Sequence, residues 1–154
     1  MKSHFTVGDF MTDKVIVAGL HNKVSEVMRF FATHKIQHLP VTENDELLGI
    51  ISLFDVLKLV HEELVSVDCT SMKDIDEKYD MRKLMTEDPI FVEPETTVAD
   101  ALRLLEFGKF QALPVVSDKK VVGIITNKDL IKVFAKDVNP PHTSFSIENP
   151  GFGI

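Results

Sequence analysis

The chain has 154 residues, of which 44% are hydrophobic and 27% are charged, and its formal net charge is −7 at pH 7. This hydrophobic share is ordinary for a globular protein and too high for a disordered chain. The negative charge argues against general affinity for nucleic acid, which needs clustered lysine and arginine, and no apolar run approaches the 18 residues of a membrane span.

The number of cysteines and the first five residues indicate the cellular compartment in which the protein is expected. Cys69 is the only cysteine, so no disulfide can form within the chain, as is usual in the reducing cytoplasm. Residues 1–5 contain no apolar core of signal-peptide length. We therefore expect a cytoplasmic protein.

The first part of the chain predicts five elements in the order β-α-β-β-α. Val24, Val27, Met28 and Phe31 recur at helical spacing and predict a helix with one buried face. The other elements are a strand at 15–18, a strand beginning at 38–41, a turn at 43–45, a strand at 47–52 and a helix from Asp55 to about Val65. This unit, residues 7–65, is called repeat 1.

A strongly acidic segment follows repeat 1. Between Glu62 and Asp80 there are seven acidic residues and two lysines, which together account for −5 of the net charge. Residues 66–80, here called the acidic joint, are typical of a solvated connection between two folded units. A docking surface for a basic partner is the alternative interpretation.

Repeat 2, residues 81–136, has the elements of repeat 1 in the same order. Residues 10–60 align with residues 84–134 at a constant offset of 74, with fifteen identical positions where chance would give about three. The predicted elements are a strand at 89–92, a helix carrying Val98, Ala101, Leu102 and Leu105 on one face, strands at 112–116 and 121–126 around a turn at 117–119, and a helix at 129–136. Two copies of one unit favour an α/β (α+β) fold in which the repeats pair about an approximate two-fold axis. Residues 137–154 lack periodicity and form a Pro/Gly-containing C-terminal tail.

The sequence contains no recognisable catalytic motif. A phosphate loop and a serine elbow are both missing, and we find no nucleophile with a plausible base. His34 and His38 are four residues apart, but one ends a predicted helix and the other begins a strand, so they should not converge on a metal. We therefore expect a protein that is not an enzyme and that requires no metal or cofactor.

One motif occurs in both repeats, at the junction between the last strand and the last helix. It reads Gly-h-h-[Ser/Thr]-x-x-Asp, where h is apolar, at 49–55 and at 123–129. The hydroxyl and the aspartate also match a helix capping box. A glycine at this point lets another group approach the backbone, a helix N-terminus suits phosphate, and a carboxylate suits the hydroxyls of a ribose. The motif therefore predicts a site for a nucleoside phosphate.

The ordered set of motifs resembles a tandem pair of cystathionine β-synthase (CBS) domains, also called a Bateman module. The set comprises a Met-Thr start, a short Ile-containing strand, a Leu-Pro-Val strand and the shared motif, each present twice between about Val7 and Phe134. The resemblance implies two repeats packed through their sheets, with two clefts that bind adenosine compounds such as AMP, ADP, ATP, S-adenosylmethionine, NAD or cyclic di-AMP. It also implies a homodimer that regulates a partner protein, whose identity the sequence does not reveal.

The resemblance assigns residues from both repeats to each cleft. In cleft 1 it places Thr12, Val17, Ile36, Gln37, His38, Ile124, Thr126, Asn127, Lys128 and Asp129. In cleft 2 it places Thr86, Phe91, Phe110, Gln111, Ala112, Ile50, Ser52 and Asp55. Val17, Ile36 and Ile124 would sandwich the base in cleft 1, and Phe91, Phe110 and Ile50 would do so in cleft 2.

The two clefts are not expected to be equal. Cleft 1 has Lys128 and His38 where cleft 2 has Phe54 and Ala112. We therefore hypothesise that cleft 1 binds phosphate-bearing ligands more tightly.

Two other functions compete with ligand sensing. In the first, the shared motifs are only helix caps, and the chain is a ligand-independent interaction or dimerisation module. In the second, a divalent metal bound by the acidic joint regulates the protein, although no loop has the spacing of a calcium or magnesium site. Co-purified absorbance near 260 nm would separate the sensor from the interaction module, because the chain has no Trp and one Tyr.

Overall fold

The structure is a computed structural model that describes residues 5–66, 71–108 and 110–137. Cys69 and the predicted tail beyond residue 137 lie outside this part. The strands are β1 (Ala18–Gly19), β2 (His38–Glu43), β3 (Glu46–Ser52), β4 (Thr86–Glu87), β5 (Ala112–Ser117) and β6 (Lys120–Thr126). The helices are α1 (Val24–His34), α2 (Leu53–Val65), α3 (Met72–Lys78), α4 (Met81–Leu84), α5 (Val98–Gly108) and α6 (Asn127–Asp137), preceded by a 3-10 turn at Val7–Asp9.

The strands form one mixed sheet in the order β1-β2-β3-β6-β5, with β4 also paired to β3. The β2/β3 and β5/β6 hairpins have the same antiparallel register after the 74-residue offset, including a bulge at the same place. The two hairpins meet at a single pair, Glu46 with Lys120, which are equivalent positions. An antiparallel pair between equivalent residues is what a two-fold axis produces, so the predicted fold class and symmetry are confirmed.

Both hairpin turns form where composition predicted them. The two central residues have positive φ in each case: 51° and 68° at Asn44 and Asp45, and 49° and 67° at Asp118 and Lys119. Two consecutive left-handed residues define the type I′ turn, whose twist matches that of the flanking strands. Asn and Asp tolerate this conformation better than most residues.

The first segment of each repeat pairs with the last strand of the other repeat. Thr12 exchanges two backbone hydrogen bonds with Ile124 of β6, at 2.9 and 3.1 Å. Thr86 of β4 pairs with Ile50 of β3 at the equivalent place. The repeats are therefore interlocked rather than merely adjacent, and the pairing of β4 was not predicted.

Each hydrophobic core contains or contacts residues from the segment that pairs with the other repeat. One cluster lies in repeat 1 around Leu39 and Ile51, but it also contains Ile75, Met81 and Met85 from the chain that follows α2. The other lies in repeat 2 and includes Val7, which is fully buried, with Phe5, Phe10 and Met11 packed against it. Of the four positions predicted for the buried face of α1, Val24, Val27 and Phe31 lie in the core and Met28 is partly buried against it, because apolar residues at helical spacing share one face.

Part of the acidic joint is folded, which differs from the expected solvated connection. Helix α3 buries Ile75 completely against repeat 1. Asp76 accepts hydrogen bonds from the backbone N–H of Ser25 at 2.9 Å and from its hydroxyl at 2.6 Å. Asp80 caps α4 by accepting from the N–H of Lys83. These carboxylates therefore stabilise helix ends, a use that composition alone cannot distinguish from solvation.

The first strand of each repeat is shorter than predicted. In repeat 1 only Ala18 and Gly19 form β1, paired in parallel with Val41 and Thr42. In repeat 2 the predicted strand reduces to a single bridge between Val92 and Val115. A separate finding concerns membranes: within the described residues, no helix has the length and apolar character to cross one.

Candidate functional site

Cleft 1 is a cavity of about 430 Å³ between the two repeats. Its lining comprises Thr12, Lys14, Val15, Ile16, Lys35, Ile36, Gln37, His38, Gln111, Ile124, Thr126, Asn127, Lys128, Asp129 and Ile131. Nine of the ten residues that the resemblance assigned to cleft 1 are in this set. The exception is Val17, which is half-exposed outside the cavity, and Val15 and Ile16 line the wall instead.

The exchange of segments between repeats builds this cavity. Thr12 reaches it because its backbone pairs with Ile124, and Gln37 reaches it from the start of β2. The carbonyl of Gln111 accepts the first N–H of α6, from Asn127, at 3.1 Å. Residues far apart in sequence are therefore held together by main-chain hydrogen bonds.

Three lysines give cleft 1 its charge. Lys14, Lys35 and Lys128 all line the cavity, and within the described chain none of them forms an ion pair with a carboxylate. Lys35 ends α1 with a left-handed φ of 53°, which turns the chain into the cleft. Unpaired ammonium groups around one cavity favour an anionic ligand.

The shared motif of repeat 2 forms a complete capping box at the edge of cleft 1. The Thr126 hydroxyl donates to Asp129 Oδ2 at 2.8 Å, and the Thr126 N–H donates to the same oxygen at 3.1 Å. The Asp129 N–H in turn reaches the Thr126 hydroxyl at 3.4 Å. Lys132 Nζ lies 3.2 Å from Asp129 Oδ1, so this carboxylate has a cationic neighbour.

Cleft 2 is a second cavity, of about 550 Å³. Its lining comprises Gln37, His38, Ile50, Ser52, Leu53, Phe54, Asp55, Leu57, Phe110, Gln111 and Ala112. Six of the eight residues assigned to cleft 2 are in this set. Thr86, which pairs with Ile50 as Thr12 pairs with Ile124, and Phe91, which is half-exposed, are not in it.

Phe91 and Val17 are equivalent positions, and both miss their cleft for the same reason. Each precedes the short first strand of its repeat, where Ala18 and Val92 are the residues held against the sheet. The described linings do not include Val17 or Phe91, and their assigned base contacts stay predictions. Ile36 and Ile124 in cleft 1, and Phe110 and Ile50 in cleft 2, remain available as apolar walls.

The capping box of cleft 2 differs in its electrostatic surroundings. The Ser52 hydroxyl donates to Asp55 Oδ2 at 2.5 Å, and the Asp55 N–H reaches the Ser52 hydroxyl at 3.1 Å. Lys58, the counterpart of Lys132, lies 4.0 Å from Glu62 instead. Among the described residues, Asp55 therefore has no ion-pair partner comparable to Lys132 beside Asp129.

Three residues line both clefts: Gln37, His38 and Gln111. The two glutamines are equivalent positions. The backbone carbonyl of each accepts a hydrogen bond from the first N–H of the last helix in its own repeat, α2 for Gln37 and α6 for Gln111. His38 has no such counterpart, because Ala112 stands at its equivalent position. The assignment of His38 to cleft 1 alone is therefore too narrow.

His38 is half-buried between the clefts. Burial lowers the pKa of His38 below its ordinary value of 6.5, and the nearby Asp55 carboxylate partly opposes this effect. The imidazole is consequently neutral at pH 7. The fixed positive charge of cleft 1 comes from its lysines rather than from His38.

The motif glycines have a role different from the one expected. A Cβ on Gly123 would stand 2.7 Å from Met11 Sδ and 2.9 Å from the carbonyl oxygen of Thr12. The group that approaches the glycine is therefore the exchanged Met-Thr segment. The glycine contributes to the cleft indirectly, by letting Thr12 reach it.

Lys14 and Lys35 were not among the assigned site residues. Lys14 follows the Met-Thr start by two positions, and its counterpart in repeat 2 is Asp88. That charge reversal is a signal in the sequence that could have revealed the difference between the clefts. Over the residues described, no group of three or more histidine, cysteine, aspartate or glutamate side chains is arranged to hold a metal ion.

Comparison with known proteins identifies the repeated unit. A family model described as CBS domain matches residues 7–62 and again residues 81–136. The crystal structure of CBSX2 from Arabidopsis thaliana in complex with AMP superposes with a TM-score of 0.72 at 32% identity, covering 86% of this chain and 98% of that one.

Longer relatives contain the same unit as one part. An uncharacterized protein of Methanocaldococcus jannaschii is 28% identical over 87% of this chain, which spans 46% of that protein. The inosine-5′-monophosphate dehydrogenase of Korarchaeum cryptofilum is 33% identical over 85% of this chain, which spans 24% of the enzyme. The chain thus spans less than half of each of these two relatives.

Proposed function

The chain belongs to the CBS-domain family as a tandem pair of CBS domains, and we propose that it is a non-catalytic regulatory module. In this proposal its clefts sense adenosine-containing ligands, such as AMP, ADP, ATP or S-adenosylmethionine, and the protein regulates a partner in trans. The single observation that supports the proposal most is cleft 1, where both repeats surround a cavity that holds three unpaired lysines and the Thr126–Asp129 box.

The chemistry of cleft 1 matches the parts of an adenine nucleotide. Its 430 Å³ lies within the range of about 300–1,000 Å³ typical of small-molecule sites. Ile36 and Ile124 offer apolar contacts to a base, and the Asp129 carboxylate can accept hydrogen bonds from ribose hydroxyls. The lysines supply charge-assisted hydrogen bonds to phosphate.

A relative's ligand supports the same class. CBSX2, which is 32% identical, has been crystallised with AMP. We propose that AMP or another phosphate-bearing adenosine compound binds in cleft 1 more tightly than in cleft 2. The described lining of cleft 2 contains no lysine or arginine.

A direct test is thermal unfolding with a panel of AMP, ADP, ATP, S-adenosylmethionine, NAD and cyclic di-AMP. Ligand at one hundred times its dissociation constant stabilises the folded state by about 2.7 kcal/mol, and each kcal/mol raises the Tm by about 2–4 °C in a chain of this size. We expect AMP to raise the Tm and Asp129→Ala to abolish that rise.

The chain offers a matched control for this variant. Asp100 forms the same box with Thr97 at the start of α5, with oxygens 2.7 Å apart, and lies outside both clefts. Asp100→Ala removes a cap without touching either cleft, so its AMP response should equal that of the wild type. A lost response in both variants would mean that Asp129 matters only as a cap.

A ligand-independent interaction module is the second candidate, and two observations favour it. In both motifs the hydroxyl and the aspartate already bond each other without a ligand, and large apolar side chains stand exposed on α2 and α6. No Tm rise with any of the six compounds, in protein free of 260 nm absorbance, would favour this candidate.

We also propose that the protein is a homodimer in the cytoplasm. On α2, Phe54 and Val65 are 74% and 72% exposed, and on α6 Ile131 and Phe134 are 66% and 52% exposed. Exposed apolar patches of this kind mark association surfaces, and a second copy would cover equivalent helices symmetrically. The single cysteine fits a reducing compartment.

A further inference from the structure

We infer that cleft 2 takes a purine nucleoside without a phosphate group, while cleft 1 takes the nucleotide. This inference rests on the proposed function, since it assumes that both clefts accept adenosine compounds. It assigns a different chemical class of ligand to each cleft, so that one chain would bind two different ligands at the same time.

The first step in the argument is charge. Among the described residues that line cleft 2, Asp55 is the only one charged at pH 7, since burial keeps His38 neutral. Cleft 1 instead has three lysines, and its own aspartate has Lys132 beside it at 3.2 Å. A phosphate entering cleft 2 would approach an unaccompanied carboxylate, whereas one entering cleft 1 approaches ammonium groups.

The charge difference arises at equivalent positions of the two repeats. Phe54 in cleft 2 stands where cleft 1 has Lys128, whereas Asp88, the counterpart of Lys14, is not among the described residues that line cleft 2. Lys109, the counterpart of Lys35, lies outside the described residues. Among the described residues, the replacement of Lys128 by Phe54 leaves the lining of cleft 2 without a lysine.

The second step is the apolar wall. Six side chains of cleft 2 are apolar: Ile50, Leu53, Phe54, Leu57, Phe110 and Ala112. The ring of Phe110 lies so close over Gly108 that a Cβ there would stand 2.0 Å from the ring. The glycine thus leaves space for the aromatic side chain, which with Ile50 offers faces for a planar base.

The third step concerns the polar groups that a nucleoside needs. The Asp55 carboxylate can accept hydrogen bonds from two ribose hydroxyls, and Lys58, the nearest counterpart of Lys132, is paired with Glu62 in the described part of the chain. Gln37 and Gln111 bring amide donors and acceptors to the same cavity. These groups suit a base and a sugar, and the described lining offers a phosphate no lysine or arginine.

Adenosine and AMP are the probes that test the inference, with labelled adenosine in equilibrium dialysis. We expect one adenosine site per chain that saturating AMP does not displace. Asp55→Ala should weaken adenosine at least tenfold and change AMP less than twofold. Asp129→Ala should do the reverse, and Asp100→Ala should change neither.

A second variant tests the charge argument by gain of function. Phe54→Lys copies Lys128 into cleft 2, and it should add a second AMP site per chain that Asp129→Ala leaves intact. Sedimentation of this variant checks its assembly, and its thermal transition checks folding. Because this readout is a gained site, misfolding cannot imitate it, and a folded Phe54→Lys with one AMP site would overturn the inference.

Failure of the inference and failure of the proposed function look different. If AMP binds in cleft 1 but competes with adenosine for that same cleft, the inference is wrong and the proposed function stands. The same holds if adenosine does not bind at all at millimolar concentration. If neither compound binds the wild type, both are wrong.

Discussion

The Met85 thioether fills the space in front of Gly49, so that a Cβ on the glycine would stand 2.5 Å from Sδ. The carbonyl oxygen of Thr86 would be 2.8 Å away. A side chain can move, but a carbonyl held in the β3/β4 pairing cannot move without loss of that pairing. The glycine therefore determines whether the exchanged segment can dock.

Gly49→Ala should accordingly destabilise the fold. Overpacking of a fixed site costs about 1–3 kcal/mol, which is a fall in Tm of roughly 2–12 °C for this size of chain. Gly123→Ala should behave alike, because Met11 and Thr12 stand in the same relation to it. Thermal unfolding by circular dichroism measures both.

Gly19→Ala is the matched control for these variants. Its added Cβ would meet only the ring of His21, at 2.7 Å, and that side chain can rotate away. We expect little change in Tm. An equal loss in all three variants would show that backbone freedom, rather than the exchanged segment, requires glycine at these positions.

Lys128→Ala should weaken AMP binding about tenfold without affecting adenosine. A hydrogen bond to a charged group contributes about 1.5–3 kcal/mol, and 1.4 kcal/mol corresponds to tenfold. Isothermal titration calorimetry at two salt concentrations would also show a smaller salt dependence in the variant. Lys120→Ala, whose lysine pairs with Asp45 at 3.6 Å outside both clefts, should bind AMP normally.

Acidification below pH 6.5 should destabilise the protein through His38. Burial lowers the pKa of His38 in the folded state relative to 6.5, so the unfolded chain binds the proton more readily. Stability from this group is therefore present above pH 6.5 and is lost as the pH falls. In a Tm series from pH 8 to pH 5, His38→Gln should remove part of the acid slope, and an unchanged slope would contradict this assignment.

Glu63 should dominate a second, more acidic transition. Hydrogen bonds from Lys78 and then from Tyr79 lower the pKa of Glu63 below its ordinary value of 4.5. Its stabilising effect is thus complete above pH 4.5 and disappears as the pH falls through the lowered folded value. Glu63→Gln should lower the Tm at pH 7 but not at pH 3, and exposed Glu62→Gln should have little effect at either pH.

Phe134→Asp should shift the protein from dimer towards monomer. Phe134 is 52% exposed on α6, and a carboxylate placed in an apolar interface loses its hydration without gaining a partner. Sedimentation velocity over a range of concentrations measures the assembly. A wild type that sediments as a monomer at 100 μM would contradict the proposed dimer.

Most of the fold could be predicted because the spacing of apolar residues in the helices and the residue types in the turns are both local signals. Helix faces show apolar residues at periods of three and four, and the turns at Asn44 and Asp118 carry residues that tolerate positive φ. The 74-residue offset then predicted the symmetry. Pairing of β4 with β3 was missed, since Thr86 and Glu87 are polar and their partner strand belongs to the other repeat.

The candidate site was predicted less completely, for a similar reason. Family resemblance placed most lining residues, whereas Val17 and Phe91 were displaced by where the first strands pair. Lys14 entered cleft 1 through the exchange of segments, which no periodicity reveals. The position of His38 between two cavities depends on tertiary packing and is not visible in a motif.

The exchange of segments also has a consequence for how the chain acquires its structure. Thr12 is synthesised 112 residues before its pairing partner, Ile124. At about 5–20 residues per second, the early segment waits roughly 6–22 s for that partner. The apolar Val7, Phe10 and Met11 remain uncovered in that interval, which makes them natural contacts for a chaperone on the nascent chain.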